Sequence, residues 1–367
     1  MPDQRYLAGE SDIFVGRRGR FRRYLVCSME GFFPVLACTE PNALAVVYRT
    51  GAPHVGVSGT LAVARSEDGG VSWSDPCEIA PRWDDNRNPA LGVNAKGELV
   101  VAFWKARLHA YTDPDGLGLR YTGGDDERTH QVAGLYYGLS LDRGCSWGSF
   151  RTYNSTLLAL ASPYGRILTL PDGTLLMAIY GSPREPIEGV SNISILLRSA
   201  DGGQTWGDET LTARGYNETS YALLPDGDLL AAARSESGHV AVLRSDDLAR
   251  TWSEPVRVTR DGEHPADLTV LQSGRVLLTF GRRIRPMGCG ALWSEDEGHT
   301  WRADREVLLA GDGVESADLG YPSTVQLADG HIVTVLYYAS GSEMSEVWRG
   351  WGAVSCQAIH YQESDIM

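Results

Sequence analysis

A histidine in a short loop that contains glycine and proline is a candidate for proton-transfer chemistry in this chain of 367 residues. The segment YRTGAPHVG covers residues 48–56 and places His54 five residues after Arg49. A histidine can act as a general acid or base near neutral pH, because its unperturbed pKa is about 6.5. Loops on a rigid scaffold often carry such groups. The alternative interpretation is a polar loop residue without a chemical role, and the scaffold must decide between the two.

Arginine dominates the basic residues, since Lys96 and Lys105 are the only lysines among 33 lysines and arginines. The simplest explanation is the base composition of the gene. A guanidinium also binds a carboxylate through two parallel hydrogen bonds, so arginines in special positions are candidates to hold an acidic substrate. Arg49 ends a predicted strand before the histidine loop, and Asp85 and Arg87 lie in the segment DDNRNPAL before another strand. These three are candidate substrate ligands.

One motif that could build the scaffold occurs five times, with the pattern Ser-x-Asp-x-(Gly/Ala)-x-(Ser/Thr)-Trp. Its aspartate can hydrogen-bond its own backbone in a turn, its glycine permits a positive φ, and its tryptophan supplies a large apolar anchor. Each copy follows an apolar, β-rich run, so each is predicted to form the turn of a hairpin. The copies are SEDGGVSW (66–73), SLDRGCSW (140–147), SADGGQTW (199–206), SDDLARTW (245–252) and SEDEGHTW (294–301).

A second repeat alternates with the first and is typical of Asp-Gly hairpins, each followed by a predicted inner strand. The spacing of the motif tryptophans leaves room for four short strands in each unit, and no segment has a helical period. The copies are NAKGELVVAF (94–103), LPDGTLLMAIY (170–180), LPDGDLLAAAR (224–234), LQSGRVLLTF (271–280) and LADGHIVTVLYY (327–338), with a degenerate copy in TEPNALAVVYR (39–49).

The two repeats together predict an all-β fold, a six-bladed β-propeller of four-stranded antiparallel blades with five aspartate-turn hairpins. Residues 1–367 are expected to form a single domain with a long insertion loop at about 105–134. The last blade, roughly 317–361, is expected to be closed by an N-terminal strand at 12–16 or 23–28, which would pair with the segment WGAVSCQAIHY.

Composition excludes several classes of function. The formal net charge of −14 argues against a nucleic-acid partner, which requires a basic surface. The six cysteines are scattered without metal-ligand spacing, so no structural metal and no cofactor are expected. No apolar run is long enough for a membrane span, and the first residues have no signal-peptide pattern, so we expect a cytoplasmic protein without a membrane partner. The oligomeric state stays open.

The five-fold motif resembles the Asp box, or BNR repeat, of the sialidase superfamily, and the resemblance extends over nearly the whole chain. It implies a sialidase-like propeller with the active site on the propeller axis. Asp boxes are structural and occur in proteins of different functions. In sialidases three arginines bind the carboxylate of sialic acid, a tyrosine paired with a glutamate is the nucleophile, and an aspartate is the acid/base. The tyrosine nucleophile is an exception to the usual pair of carboxylates.

Three of these positions match in this chain. The segment NETSYALLPDGDLLAAAR resembles the one that carries the sialidase glutamate, which places Glu218 at that position. Arg234 ends the following strand 16 residues later and matches the second arginine. The segment DLGYPSTVQLADGHIVTVLYY resembles the nucleophile strand and places Tyr321 at the tyrosine position. For the third arginine the segment GRRIRPMGCGALWS offers Arg282, Arg283 and Arg285, of which Arg285 is favoured.

Two positions depart from the family. The first arginine normally lies in an F/Y-R-I-P motif, but the corresponding segment here is GFFPVLA, with Phe32 in its place. The acid/base aspartate lies about a dozen residues before the serine of the first Asp box, and counting back 12 residues from Ser66 gives His54. The resemblance therefore implies that His54 is the acid/base, and the missing arginine leaves open whether sialic acid is the substrate.

Three functions fit these residues. The first is an exo-acting glycoside hydrolase that removes a terminal, acidic sugar from a glycan, with Tyr321 and Glu218 as nucleophile pair and His54 as acid/base. The second is a lyase acting on uronate-containing polysaccharides through a His/Tyr pair, with an arginine to neutralise the carboxylate. The third is a glycan-binding propeller without catalysis, which has no need for the Glu–Tyr pair. In all three the partner is a glycan or oligosaccharide.

Overall fold

The computed structural model describes residues 11–14, 20–28, 31–52, 54, 59–80, 85–106, 109–110, 119–120, 134–311, 316–339 and 354–366. The predicted insertion at 105–134 therefore lies mostly outside the described residues. Within it the structure describes one short antiparallel pair, β9 (His109–Ala110) and β10 (Leu119–Arg120). Nearly all other described residues lie in strands or in the tight turns between them.

Two strands precede the repeating part of the chain, β1 (Ser11–Phe14) and β2 (Arg20–Ser28), and they pair antiparallel. The first repeating group is an antiparallel sheet of four strands in chain order. Its strands are β3 (Phe32–Glu40), β4 (Ala43–Thr50), β5 (Thr60–Ser66) and β6 (Cys77–Glu78).

The second and third groups are also meanders of four strands, but they are joined into one sheet of eight. The junction is a short parallel pairing of the first strands of the two groups, where Ala90 lies opposite Gly165 and Leu91 opposite Arg166. The second group contains β7 (Asp85–Val93), β8 (Leu99–Ala106), β11 (Gly134–Ser140) and β12 (Arg151–Tyr153). The third contains β13 (Ser162–Thr169), β14 (Leu175–Gly181), β15 (Ile193–Ser199) and β16 (Gly207–Arg214).

The fourth and fifth groups are separate sheets of four strands. The fourth contains β17 (Tyr216–Leu223), β18 (Leu229–Ser235), β19 (Val240–Ser245) and β20 (Val256–Arg257). The fifth contains β21 (Glu263–Val270), β22 (Val276–Arg282), β23 (Gly288–Ser294) and β24 (Val307–Ala310). A 3₁₀ turn at Ala303–Arg305 precedes β24.

The last group combines the two ends of the chain. It contains β25 (Gly320–Gln326), β26 (Ile332–Ala339) and β27 (Val354–Tyr361), and β2 pairs with β27 as the fourth strand. The predicted closure by residues 23–28 is confirmed by this pairing, while residues 11–14 lie on the outer edge of β2. A short helix, α1 (Glu363–Ile366), follows β27. No helix in the described ranges has the length and apolar character needed to cross a membrane.

The first strands of the groups contact one another in a closed series, β3–β7–β13–β17–β21–β25 and back to β3. The arrangement is therefore all-β and propeller-like, with these strands nearest the centre. The strand after each hairpin turn, predicted to be an inner strand, lies second in its group, and the strand before that turn lies nearest the centre. The side chains that face the centre accordingly come from the segments that open each group.

Apolar clusters fill the space between successive groups and hold the ring together. Each cluster joins side chains from two neighbouring groups, for example Val47 and Val63 of the first group with Val101 and Phe103 of the second. Burial of such apolar surface stabilises the fold by about 25 cal/mol per Å². Five further clusters join the other neighbours in the same way.

The repeated aspartate turns are tied by side-chain hydrogen bonds. In the third copy the Ser199 hydroxyl donates to Asp201 Oδ1 at 2.8 Å, and the Thr205 hydroxyl donates to Asp201 Oδ2 at 2.6 Å. Corresponding bonds occur in the other four copies. Ala249, which stands where the other copies have glycine, adopts the same left-handed conformation with φ of 63°. The tryptophan of each copy packs into a cluster between two groups.

Candidate active site

Each of the innermost strands has an irregular register near its beginning, which is the mark of a β-bulge. Bulges redirect a side chain, and three of these strands have a non-glycine residue with positive φ at that point: Phe33 at 54°, Asn88 at 49° and Tyr321 at 50°. Such backbone conformations are uncommon for an aromatic residue and often lie at functional sites. The shifts lie between Phe32 and Val35, Arg87 and Ala90, Tyr164 and Leu168, Tyr216 and Thr219, Glu263 and Ala266, and Gly320 and Ser323.

The structure brings Tyr321, Glu218 and Arg234 together at these bulges. The Tyr321 hydroxyl donates a hydrogen bond of 2.6 Å to Glu218 Oε1, and Arg234 Nη1 donates one of 2.6 Å to Glu218 Oε2. Tyr321 and Glu218 are 8% and 4% exposed. The Tyr180 hydroxyl lies 3.5 Å from the same Glu218 oxygen. A buried carboxylate between a tyrosine and a guanidinium is thus the centre of the site.

The tyrosine is protonated in this arrangement. Burial raises the pKa of Tyr321 well above its ordinary value, and the negative charge of Glu218 raises it further. Arg234 and Arg283 oppose this change by stabilising a tyrosinate. The hydroxyl therefore keeps its proton and donates a hydrogen bond to the carboxylate. This is the geometry of a nucleophile beside its general base.

His54 belongs to a second hydrogen-bonded group. Its Nδ1 lies 2.7 Å from Asp318 Oδ1, and the Tyr337 hydroxyl donates a hydrogen bond of 2.5 Å to the same oxygen. The Phe33 ring contacts the His54 ring at 4.6 Å and the Tyr321 ring at 4.8 Å between centroids. One phenylalanine therefore contacts both His54 and the tyrosine of the Tyr321–Glu218 pair.

The carboxylate of Asp318 holds the orientation of His54. Burial opposes ionisation of Asp318, but the hydrogen bonds from His54 and Tyr337 and the charges of His54 and Arg283 outweigh it and lower the pKa of the aspartate. An ionised aspartate at Nδ1 fixes the imidazole tautomer with the proton on Nδ1, so Nε2 is the nitrogen left for a ligand. The His54 side chain is 30% exposed, which gives it access to solvent.

Arg283, and not the favoured Arg285, lies beside the tyrosine ring. The Arg283 guanidinium carbon lies 5.9 Å from the centre of the Tyr321 ring. Arg285 is exposed in the turn after β22. Arg282 is bound away from the site by Glu306, with Nε 2.9 Å from Oε1. The strand ends at Arg282, and the next residue turns to the opposite face, which the sequence did not show.

Arg49, Asp85 and Arg87 form a neighbouring ion-paired group. Arg49 Nη1 lies 2.5 Å from Asp85 Oδ1, and Arg87 Nε lies 3.2 Å from Asp85 Oδ2. The side chains of Arg49 and Asp85 have no exposed surface, and a Cβ at Gly59 would clash with the Arg49 guanidinium. Arg49 and Asp85 were expected to contact the substrate. Because both side chains are fully buried, they can only support the residues that face the site. Arg87 is 17% exposed and stacks on Trp104 at 4.6 Å.

Aromatic side chains enclose the site. Phe32 and Phe33, from the segment with the missing arginine, pack with Tyr164, Tyr321 and Tyr337 in one buried cluster. Phe32 takes part through Tyr337, at 5.4 Å between ring centroids. At this position, where the resemblance to sialidases implies an arginine, the chain has an apolar ring.

Several residues of the site were not anticipated from the sequence. Asp318 lies three residues before Tyr321 in the segment DLGY, and Tyr337 lies near the end of the following strand. Asn88 donates hydrogen bonds to Ser162 Oγ and to the Tyr180 hydroxyl, at 3.0 and 2.9 Å. Their spacing follows no motif, because contacts between different groups bring them together. Among the described side chains, no group of three or more His, Cys, Asp or Glu residues could hold a metal ion.

Comparison with known proteins is consistent with this arrangement. A family model for the BNR repeat-like domain matches residues 51–335. A sialidase from Bacteroides fragilis (strain YCH46) is 24% identical over 316 residues, which are 78% of this chain and 55% of that protein. The chain therefore spans only about half the length of this curated relative.

Solved structures show the same fold at low sequence identity. A protein of unknown function from Dyadobacter fermentans DSM 18053 superposes with a TM-score of 0.73 at 21% identity, covering 96% of this chain and 98% of that one. A Hadza microbial sialidase gives 0.70 at 20% identity, covering 94% and 69%. The NanB sialidase of Streptococcus pneumoniae gives 0.66 at 15% identity, covering 98% and 71%. Because the family model matches most of the chain, this protein belongs to the BNR repeat-like domain family.

Proposed function

We propose that this protein is an exo-acting glycoside hydrolase of sialidase type, which removes a terminal acidic sugar from a glycan. The observation that carries the proposal is the 2.6 Å hydrogen bond from the Tyr321 hydroxyl to the buried Glu218 carboxylate. A glycan-binding protein has no need to bury a carboxylate beside a tyrosine, because burial of a charge costs free energy unless it is paired. The six strand groups would be the blades of a propeller, and the five aspartate turns would be its Asp boxes.

Tyr321 would act as the nucleophile and Glu218 as its base. Glu218 takes the phenolic proton as the Tyr321 oxygen attacks the anomeric carbon, and a covalent glycosyl-enzyme forms as the leaving oxygen departs. Arg234 and Arg283 stabilise the tyrosinate that develops in this step, since both lower the pKa of Tyr321. A neutral nucleophile suits an anomeric carbon that already carries a carboxylate, because it avoids repulsion between two negative charges.

His54 would be the acid/base. Its Nε2 donates a proton to the leaving oxygen in the first step and takes one from water in the second, when water releases the sugar from Tyr321. Asp318 keeps the proton on Nδ1 and stabilises the imidazolium between the two steps, as the aspartate of a catalytic triad does. Tyr337 contributes by holding Asp318 through its hydroxyl.

Arg234 and Arg283 would bind the acidic group of the sugar. Phe32 removes the third guanidinium found in the family, so the carboxylate is held by two arginines instead of three. Arg87, supported by the buried Arg49–Asp85 pair, would contact the sugar at the edge of the site.

The two arginines of the turn after β22 provide a matched test of this assignment. We expect Arg283→Ala to lower kcat/KM about 10- to 100-fold, because a hydrogen bond to a charged group contributes about 1.5–3 kcal/mol. Arg285→Ala should change kcat/KM less than about twofold, since surface substitutions away from a site have small effects. Steady-state kinetics of both variants on one glycoside decide the question, and equal losses would contradict the placement of Arg283.

Mass spectrometry of reaction products tests the proposed reaction. The purified protein is incubated with a panel of sialosides and of oligosaccharides capped with uronate or rhamnose. A hydrolase releases products that have gained one water, and the Tyr321→Phe and His54→Ala variants should not release them. An unsaturated uronate without added water would show a lyase, and no product from any member would favour the glycan-binding alternative.

A further inference from the structure

His264 occupies the bulge position of the fifth innermost strand. It follows Glu263 at the start of β21, within the register shift that ends at Ala266. Glu218 and Tyr321 lie within the corresponding shifts of the fourth and sixth groups. His264 therefore lies on the ring of positions from which the other site residues project.

The side chain of His264 is buried without a partner for one nitrogen. The residue is 7% exposed, and its Nδ1 makes no hydrogen bond to any described residue. The Nε atoms of Arg234 and Arg283 are likewise buried without a described partner. Buried polar atoms in native proteins are normally hydrogen-bonded, so the unpaired nitrogens of His264, Arg234 and Arg283 indicate a place for a polar ligand.

His264 is neutral, because burial and the charges of two arginines disfavour its protonated form. Burial lowers the pKa of His264 to about 3, and the positive charges of Arg234 and Arg283 add to the effect. A neutral imidazole can donate or accept a hydrogen bond without adding charge. The carboxylate of an acidic sugar would then contact the guanidinium groups, while the imidazole would contact an uncharged oxygen.

We propose that His264 is a specificity-determining residue, which binds a hydroxyl or other polar oxygen of the terminal sugar whose carboxylate lies between Arg234 and Arg283. This inference rests on the proposed function. A sugar that lacks the oxygen leaves the imidazole nitrogen buried and unpaired, and sites of this kind reject such analogues strongly. His264 touches no reacting atom and therefore affects binding of the sugar more than the chemical step.

The test compares His264→Phe, which keeps a flat ring without nitrogens, with His264→Gln, which restores a polar group. Binding of free N-acetylneuraminic acid and of glucuronic acid is measured by calorimetry, and KM and kcat are measured on the matching glycosides. We expect His264→Phe to weaken binding and raise KM at least about tenfold with kcat changed less than threefold. His264→Gln should recover part of the loss, and Arg285→Ala is the surface control.

Each outcome decides the inference. Unchanged binding by His264→Phe in a correctly folded variant overturns it while leaving the proposed function intact. A fall in kcat at constant KM also overturns it, since that indicates a role in the chemical step. If the wild-type protein binds neither sugar acid, both this inference and the proposed acidic substrate fail.

A different pair of residues carries a second inference. Cys27 on β2 and Cys356 on β27 are direct partners in the antiparallel register of the closing sheet. Paired Cα atoms in antiparallel strands lie about 4.5–5.5 Å apart, within the range that a disulfide requires. The six cysteines all lie in the described part of the chain and are present as thiols.

The two thiols face the same small space. A Cβ at Gly31 would lie 2.6 Å from both the Cys27 sulfur and the Cys356 Cβ. The Cys27 thiol is also the hydrogen-bond partner of Cys356. Cys356 is buried and Cys27 is partly exposed, so an oxidant reaches Cys27 first.

We infer that Cys27 and Cys356 form a redox modification site that a low-molecular-weight disulfide converts into a cross-strand disulfide. The Cys27 thiolate attacks the reagent and releases one thiol, and the Cys356 thiolate then attacks the mixed disulfide and releases the second. Two protein thiols are oxidised and one reagent disulfide is reduced to two thiols. The product fastens the N-terminal strand covalently to the last strand of the closing group.

Non-reducing peptide mapping after treatment with oxidised glutathione tests this inference. We expect a linked pair of peptides containing Cys27 and Cys356, and a higher melting temperature that reverts with dithiothreitol. Cys27→Ala should show neither change. Glutathione adducts on the exposed Cys38 and Cys145 without the linked pair would overturn the linkage. A linked pair with an unchanged melting temperature would overturn its stabilising effect.

Discussion

Tyr321→Phe is expected to lower kcat at least about 10³-fold while leaving the melting temperature nearly unchanged. The substitution removes only the hydroxyl that donates to Glu218, and the ring keeps its contacts with Phe33 and Tyr337. Without the phenolic oxygen no covalent glycosyl-enzyme can form. The measurement is kcat on the glycoside identified by the product panel, with circular dichroism to verify the fold.

Tyr180→Phe is the matched control for this prediction. Its hydroxyl lies 3.5 Å from the same Glu218 oxygen, so the substitution removes a neighbouring buried hydroxyl without removing the nucleophile. We expect less than about a tenfold change in kcat, the cost of one peripheral hydrogen bond. Equal losses in the two variants would contradict the assignment of Tyr321 as nucleophile and would indicate a general disturbance around Glu218.

His54→Gln is expected to lower kcat about 10²- to 10⁴-fold on a natural glycoside, because general acid catalysis contributes that much when the leaving group is poor. The loss should be much smaller on a glycoside with an acidic phenol as leaving group, which departs without protonation. The ratio of the two losses is the measurement, and it separates an acid/base role from a role in folding or binding.

Asp318→Asn provides the second variant for the same role. The amide keeps the approximate shape of the side chain but removes the charge that holds His54 and accepts from Tyr337. We expect kcat to fall with the same dependence on the leaving group as for His54→Gln, since both residues act on one proton transfer. A uniform loss on all substrates would contradict the His54–Asp318 pair as the acid/base.

The sequence predicted the fold well because the informative signal lies in local turns. Five copies of an aspartate turn and six turns of the second repeat, three of them Asp-Gly, fix the boundaries of the strands without any knowledge of long-range contacts. The strand that lies nearest the centre does not follow from these turns. Both strands of such a hairpin are apolar, so the local pattern does not distinguish them.

Glu218, Arg234 and Tyr321 became candidates because their segments resemble those of the sialidase superfamily. The structure brings the three side chains together. Asp318 could not be predicted, because its role depends on a contact with His54, which is 264 residues away in the chain. Arg285 was favoured over Arg283 because the sequence does not reveal which residue of the turn points towards the centre.

Arg49 illustrates a further limit of reading charge from sequence. An arginine at the end of a strand beside a candidate catalytic loop is expected to bind the substrate. In the structure its guanidinium is fully buried and paired with Asp85. Removal of one partner of a buried ion pair leaves an uncompensated charge, so changes at Arg49 affect stability before they affect binding.

The most direct test of the account is to trap the covalent intermediate. The protein is incubated with 2,3-difluorosialic acid, or with the corresponding fluorinated glycosyl fluoride of the sugar that the product panel identifies, and its peptides are mapped by mass spectrometry. We expect a glycosyl adduct on the peptide that contains Tyr321, and no adduct in the Tyr321→Phe variant. An adduct on any other residue, or continued turnover without a covalent adduct, would contradict it.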